Sequence, residues 1–321
     1  MMSNIQPKDV RVGVIYGGTS PERAGSLASG ESASKALSSN GWNVTLLDLA
    51  DIDITHLKAD IDVAFLALHG PGGEDGKIQG ALETLGIPYS GSGVMASAVG
   101  MHKPTFKKLA TMNSLDTPRW MEVDRSISTI VTAASAGLSL GWPAFVKPTS
   151  GGGSLDASIV QNEFALQYAL ESCSENDYNQ YIVEEYIAGT PCTVGLLEVG
   201  GVLQPLPVLT VDTDREFYDY TAKHDIQQRR EQCPADLPPG MAFRLQKYAV
   251  RAHRMIGAHG VSRVDFLIGP NGQIAILEIN TVPGLSLQGN LATMARAARI
   301  DYPQLVEYVL ATAFTKPKYL P

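Results

Sequence analysis

The chain has 321 residues, 44% of them hydrophobic, and a formal net charge of -8. That length allows two or three domains, and no basic run points to a nucleic-acid partner. No segment has the apolar length of a signal peptide or membrane span, and Cys173, Cys192 and Cys233 lack metal-ligand spacing, so a cytoplasmic enzyme with reduced thiols and no membrane partner is expected.

In chain order, VGVIY at 12–16 reads as a buried strand, followed by the turn GGTSPER at 17–23 and a helix of small residues at about 26–39. VTLLD at 44–48 and VAFLAL at 63–68 are two more apolar strands. Apolar strands alternating with helices point to a parallel sheet covered on both faces, with ligands beyond the strand ends. The loop HGPGGEDG at 69–76 is such a place: its glycines let backbone approach a ligand, and His69 either orients a substrate or caps the strand. The first domain is placed at 1–102.

A helix from Pro104 leads past Thr117 and Pro118 into a second unit, placed at 103–190. It holds the strand AFVK at 144–147, the loop TSGGGS at 149–154, a helix at about 163–173 and the strand YIVEEYI at 181–187. Lys147 stands directly before the Gly-rich loop, where a cation beside exposed N–H groups suits phosphate, although the Walker A spacing is absent and an ordinary turn explains the same residues. The third unit, 191–321, includes a polar stretch at 212–233 without clear periodicity. It reads as a long loop in which Lys223 and His224 form a lid over a phosphate or are simply solvated. A helix at about 242–259 feeds two final strands.

Those strands carry the strongest signal. RVDFLI at 263–268 and IAILEIN at 274–280 flank GPNG, in which both Asn271 and Gly272 tolerate the positive φ of a hairpin turn. Alternation puts Arg263 and Asp265 on one face, and likewise Glu278 and Asn280. Pairing the strands gathers a guanidinium, two carboxylates and an amide oxygen. Two hard carboxylates plus Asn suit Mg²⁺ that completes its shell with phosphate and water, and the arginine suits a transferring phosphoryl group. The plainer alternative is a surface hairpin with a salt bridge.

Together GGTS at 17–20, HGPGGEDG at 69–76, YSGSGVMASA at 89–98, FYDYTAK at 217–223, RVD at 263–265 and LEINTVPG at 277–284 resemble the D-alanine–D-alanine ligases, over about residues 11–312. These are ATP-grasp enzymes that make the dipeptide of bacterial cell-wall precursors. The resemblance implies an α/β fold, α+β in part: three domains, with an N-terminal parallel-sheet domain preceding an ATP-grasp pair. It implies ATP and Mg²⁺, the metal held by Asp265, Glu278 and Asn280. Lys103, Lys147, Ser154 and Lys223 would meet ATP phosphates, and Glu184, Tyr186 and Ile187 the adenine. Arg263, Lys223 and His224 would act in catalysis, and His69, Gly284, Gly289 and Asn290 would meet small-molecule amino-acid substrates. A homodimer through the N-terminal domain is implied as well. In the reaction so implied, a D-alanine carboxylate takes the γ-phosphoryl group of ATP, and the amine of a second D-alanine displaces phosphate from the acyl phosphate.

The chain departs from the family pattern at several places. The usual SxERE is SPERA at 20–24, so Ala24 stands where the second Glu, read as the ligand of the first substrate's ammonium, is expected. Gly153 replaces the first of two serines and His224 replaces a lid tyrosine. Pro191 stands at a ribose-binding Glu, and Gly289 at a Ser for the second substrate's carboxylate. Three readings stay open at this point: a D-alanine ligase, a same-fold ligase with altered substrates such as D-lactate, and a nucleotide-binding protein without ligation.

Overall fold

The computed structural model describes residues 6–124, 126–153, 156–172, 180–213 and 229–317. Ser154, Lys223 and His224 therefore lie outside the described residues.

The N-terminal sheet is parallel, in the order β2-β1-β3, from β1 (Arg11–Tyr16), β2 (Asn43–Asp48) and β3 (Val63–Leu66). Val12, Val14, Val63 and Phe65 are fully buried on one face, against helix α1 (Arg23–Ser39). Ile15, Ala64 and Leu66 are buried on the other, against α2 (Leu57–Asp60) and α3 (Lys77–Leu85). Burial on both faces explains the continuous apolar runs. The first core also reaches well past residue 102: Leu305, Val306, Val309 and Leu310, from a C-terminal helix over Tyr302–Thr315, pack into it. Trp42 Nε1 donates to Glu307 Oε1 at 3.1 Å across the same seam.

After α4 (Val94–Met101) and α5 (Lys103–Met112) comes an antiparallel sheet in the order β4-β7-β5-β6. Its strands are β4 (Trp120–Glu122), β5 (Ala144–Pro148), β6 (Ser158–Val160) and β7 (Tyr181–Glu185). One face is covered by α6 (Thr129–Leu140) and α7 (Glu163–Ser172). The last sheet runs β11-β10-β8-β12-β13, with β9 also on β8. It comprises β8 (Thr190–Val199), β9 (Val202–Pro205), β10 (Leu209–Thr213), β11 (Arg229–Gln232), β12 (Val261–Ile268) and β13 (Ile274–Asn280). Helix α8 (Met241–Met255) packs on it through Leu245, Ala249 and Ala252. The C-terminal helices are α9 (Asn290–Ala297) and α10 (Tyr302–Thr315). α10 opens with a capping box between Asp301 and Gln304.

Two sequence expectations need correction. The stretch 212–233 is not loop at its ends: β10 and β11 pair antiparallel, with Asp212 opposite Arg230 and an ion pair of 3.0 Å between them. Short strands rich in charge lack the apolar alternation by which strands are read. In the GPNG turn, only Gly272 takes a positive φ, +72°. Gly272 N–H donates to Gly269 O at 2.9 Å and Gly269 N–H to Gln273 O at 2.8 Å. This is a three-residue loop closed by a left-handed glycine rather than a two-residue turn.

Candidate active site

The hairpin register puts Arg263 opposite Asn280 and Asp265 opposite Glu278, and the register shifts just beyond Asp265. All four side chains line one cavity of about 720 Å³ between the three sheets. Arg263 grips Asp265 bidentately, Nε to Oδ1 at 2.9 Å and Nη2 to Oδ2 at 2.8 Å. Thr193, the register partner of Asp265 on β8, adds its hydroxyl to Oδ1 at 2.6 Å. Asn280 Oδ1 accepts from Val282 N–H at 3.0 Å, which fixes that side chain at the strand end. Two carboxylates and an amide oxygen on one face fit a hard divalent cation whose remaining ligands come with the phosphates. Among the described residues no cluster of three His, Cys, Asp or Glu exists that would bind metal by itself.

Lys103 and Lys147 enter the same cavity. Lys103 Nζ donates to Gly151 O at 2.5 Å and lies 3.5 Å from Glu278 Oε2, which ties the Gly-rich loop to the hairpin. Lys147 pairs with Glu184 Oε2 at 2.9 Å, and Lys107, fully buried, pairs with Oε1 of the same carboxylate at 2.8 Å. Lys107 also donates to Thr117 Oγ1 at 2.5 Å and Pro118 O at 3.2 Å. Burial would raise the Glu184 pKa, but the two ammonium groups outweigh it and hold the carboxyl below its ordinary value. Burial pushes Lys107 down to about 8, with Glu184 opposing the fall. Tyr186 and Ile187 follow on the cavity wall.

The far end of the cavity is built by the N-terminal loops. Arg23 donates to Gly18 O at 2.7 Å and pairs with Asp48 at 2.6 Å, which pins the first loop. Glu22 precedes α1 without capping it, and its side chain lines the cavity. A Cβ on Gly152 would sit 2.8 and 2.9 Å from the two Glu22 carboxylate oxygens, so glycine is what lets the phosphate loop meet this carboxylate. His69 is buried, with Nε2 2.9 Å from Ser29 Oγ. Ser29 Oγ also accepts from Leu285 N–H at 3.1 Å, which ties His69 through this hydroxyl to the segment after β13. Burial first, then the charge of Arg263, lowers His69 to about 4, so the ring is neutral at physiological pH. Gly284, Gly289 and Asn290 complete this end. Gly289 starts α9 without a side-chain cap, which leaves first-turn amides for an anion.

A family model described as "D-ala D-ala ligase C-terminus" matches residues 109–311, and one described as "D-ala D-ala ligase N-terminus" matches 48–92. The D-alanine–D-alanine ligase of Geobacter sulfurreducens is 37% identical over 321 residues, covering 99% of this chain and 98% of the relative. The chain belongs to the D-alanine–D-alanine ligase family. The relative from Bordetella avium is 38% identical over 307 residues, 95% of each chain. Among solved structures, the D-alanine–D-alanine ligase of Bacillus anthracis complexed with ATP has a TM-score of 0.81 at 31% identity, over 95% of this chain and 98% of that one. The D-Ala:D-Ser ligase VanG from Enterococcus faecalis shares the fold, with a TM-score of 0.81 at 24% identity over 95% and 99% of the chains. The fold is therefore ATP-grasp, and this member of the ligase family is an ATP-dependent enzyme that uses Mg²⁺.

Within that family frame, the cavity gathers Lys103, Lys147, Glu184, Tyr186, Ile187, Arg263, Asp265, Glu278, Asn280, His69, Gly284, Gly289 and Asn290. Ala24, Gly153 and Pro191 line it too. Sequence reasoning passed over Glu22, Lys107, Thr193 and Ser29. Lys107 was detectable, because it lies one helical turn after Lys103 on α5 and shares its face. Thr193 needed the register of β8 on β12, and Glu22 was hidden by attention to position 24.

Proposed function

We propose that this protein joins two D-alanine molecules at the expense of ATP, with the cavity divided into a phosphoryl end and an amino-acid end. The observation that carries the reading is the joint presence of Arg263, Asp265, Glu278, Asn280, Lys103 and Lys147 at one end and Glu22, His69 and the α9 N-terminus at the other. Asp265, Glu278 and Asn280 would hold Mg²⁺, which when bound neutralises phosphate charge. Lys103 and Lys147 neutralise more of it, and Arg263 faces the oxygens on which charge grows as the γ-phosphoryl group moves to the first carboxylate. Glu22, rather than position 24, offers a carboxylate to the first ammonium. Glu184 meets the adenine side with a carboxylate fixed by two lysines, and the α9 amides meet a substrate carboxylate. The second amine then displaces phosphate from the acyl phosphate. The same proposal takes in Ser154, Lys223 and His224, outside the described residues, and the neutral His69 as a hydrogen-bonding group rather than a cation. It also includes a three-domain division near 102 and 190, a homodimer, a cytoplasmic location and a role in cell-wall peptide synthesis.

Two variants test the amino-acid end. Glu22→Gln is expected to raise the D-alanine KM by about thirtyfold or more, since loss of a charged partner to an enclosed ammonium costs about 2–3 kcal/mol. Gly152→Ala is expected to displace the flexible Glu22 carboxylate rather than the backbone, and so to raise the same KM about tenfold with the melting temperature little changed. Steady-state kinetics at saturating ATP read both. Wild-type KM in both variants would remove Glu22 from the substrate site.

A further inference from the structure

The turn between β13 and α9 carries a hydroxyl that the reaction as described leaves idle. The backbone of this turn is tied down on both sides. Leu285 N–H donates to Ser29 Oγ at 3.1 Å, and Leu285 O accepts from the Tyr302 hydroxyl at 2.5 Å. Ser286 O accepts from Gly289 N–H at 2.9 Å, and Leu287 O from Arg296 Nη1 at 3.2 Å. Ser286 is half-buried on the cavity wall, yet its hydroxyl makes no hydrogen bond among the described residues. A hydroxyl held on a fixed turn meets a ligand at little cost in ordering.

Gly289 fixes where that hydroxyl stands. A Cβ on Gly289 would lie 3.0 Å from Ser286 Oγ, 3.2 Å from Ser286 O and 3.4 Å from Gly284 O, all tighter than ordinary packing. The φ of Gly289 is -76°, which any residue can adopt. Crowding by the Ser286 hydroxyl and the two carbonyls, rather than backbone conformation, therefore favours glycine there. Ser286 Oγ thus stands beside the N-cap position of α9, and positions 286 and 289 share room for one side-chain hydroxyl. A plain helix cap would have this oxygen accept from a first-turn amide of α9, and it makes no such bond. An O–H beside a helix start without a side-chain cap is a set of donors on one stretch of cavity wall, which suits a carboxylate.

We propose that Ser286 is a further substrate-binding residue of this site, whose hydroxyl donates to the carboxylate of the second amino acid in the room that a side chain at position 289 would need. The inference rests on the reading that this end of the cavity takes that carboxylate at the start of α9. Ser286 then sets specificity as well as affinity. A hydrogen bond to a charged acceptor is stronger than one to a neutral acceptor, so the hydroxyl favours an amino acid over its amide as the second substrate. Because positions 286 and 289 share one place, the hydroxyl can be moved between them, but a side chain at both is crowded.

The test uses the full-length protein at saturating Mg²⁺-ATP and follows two quantities. One is dipeptide formation against D-alanine concentration. The other is the choice between D-alanine and D-alaninamide as the amine that is acylated, read by the mass of the products; the amide has no carboxylate and can serve only as the second substrate. Ser286→Ala is expected to raise the KM for the second D-alanine about tenfold with a smaller change in kcat, and to lower the preference for D-alanine over D-alaninamide by several-fold. Ser286→Thr, which keeps a hydroxyl, loses about threefold or less. Gly289→Ser alone raises the same KM, since its side chain crowds Ser286, whereas Gly289→Ser combined with Ser286→Gly recovers most of the Ser286→Ala loss. A wild-type KM and preference in Ser286→Ala would overturn the inference, and so would equal losses for D-alanine and D-alaninamide, which mark a merely structural role. Both outcomes leave the ligase reading standing. A wild-type protein that forms no D-alanyl-D-alanine would overturn that reading and the inference with it.

Discussion

Asp265→Asn is expected to reduce ADP formation by about 10³-fold or more while the protein stays folded. The carboxylate does three jobs at once in this geometry. It takes both arms of Arg263, it accepts from Thr193, and it offers a hard oxygen beside Glu278 and Asn280. The amide would keep the shape but supply one weak acceptor in place of two charged ones, and its NH₂ would face the guanidinium. Asp265 is partly exposed, with a side-chain accessibility of 20%, and the near-isosteric amide is expected to leave the fold intact. Glu278→Gln, one register position across, is expected to show the same loss. ADP release measured with far-ultraviolet circular dichroism and melting on the same samples separates chemistry from folding. Near-wild-type turnover in either variant would refute the phosphoryl end of the site.

The second large effect is on stability as well as turnover. Glu184→Ala is expected to destabilise the protein by about 3–5 kcal/mol, because it strands the buried Lys107 ammonium and removes the partner of Lys147. A loss of that size is expected to lower the melting temperature by on the order of 10 °C. Lys107→Met should be milder, since it removes the costly buried cation and still leaves Glu184 paired with Lys147. The acid dependence has a definite sign. The folded Glu184 pKa lies below its unfolded value, so its contribution is full above that value, about 4.3, and is lost as pH falls through the lower folded value. Glu184→Ala should therefore narrow its stability gap to wild type in acid. Thermal melts at about pH 3.5, 5 and 7 read this directly, and a gap that widens in acid would contradict it.

Much of this was legible in the sequence because it is written in periodicity. The 263–280 hairpin alternates through its site residues, so the gathering of its two-on-two cluster was readable before any coordinates, whereas the register shift beyond Asp265 was not. The parallel sheet was readable because strands buried on both faces are continuously apolar. What escaped was whatever depends on distant segments meeting. The contact of α10 with the first sheet joins residues more than 200 positions apart, and no local pattern encodes it. The resemblance implied that Glu184 meets the adenine, yet both oxygens of its carboxylate face lysines, one of them Lys107 on α5. Glu22 was missed for a related reason. Its neighbour at position 24 departs from the family pattern, but only the fold shows which of the two positions brings a carboxylate against Gly70 and Gly152.

The most direct test of the central claim is ADP release from Mg²⁺-ATP by the wild-type protein, with and without D-alanine, D-serine or D-lactate, with every product identified by mass. The account predicts ADP release that depends on D-alanine and yields D-alanyl-D-alanine in equal amount. ADP release that needs D-lactate or D-serine as the second substrate, or none with any of them despite bound ATP, would contradict it.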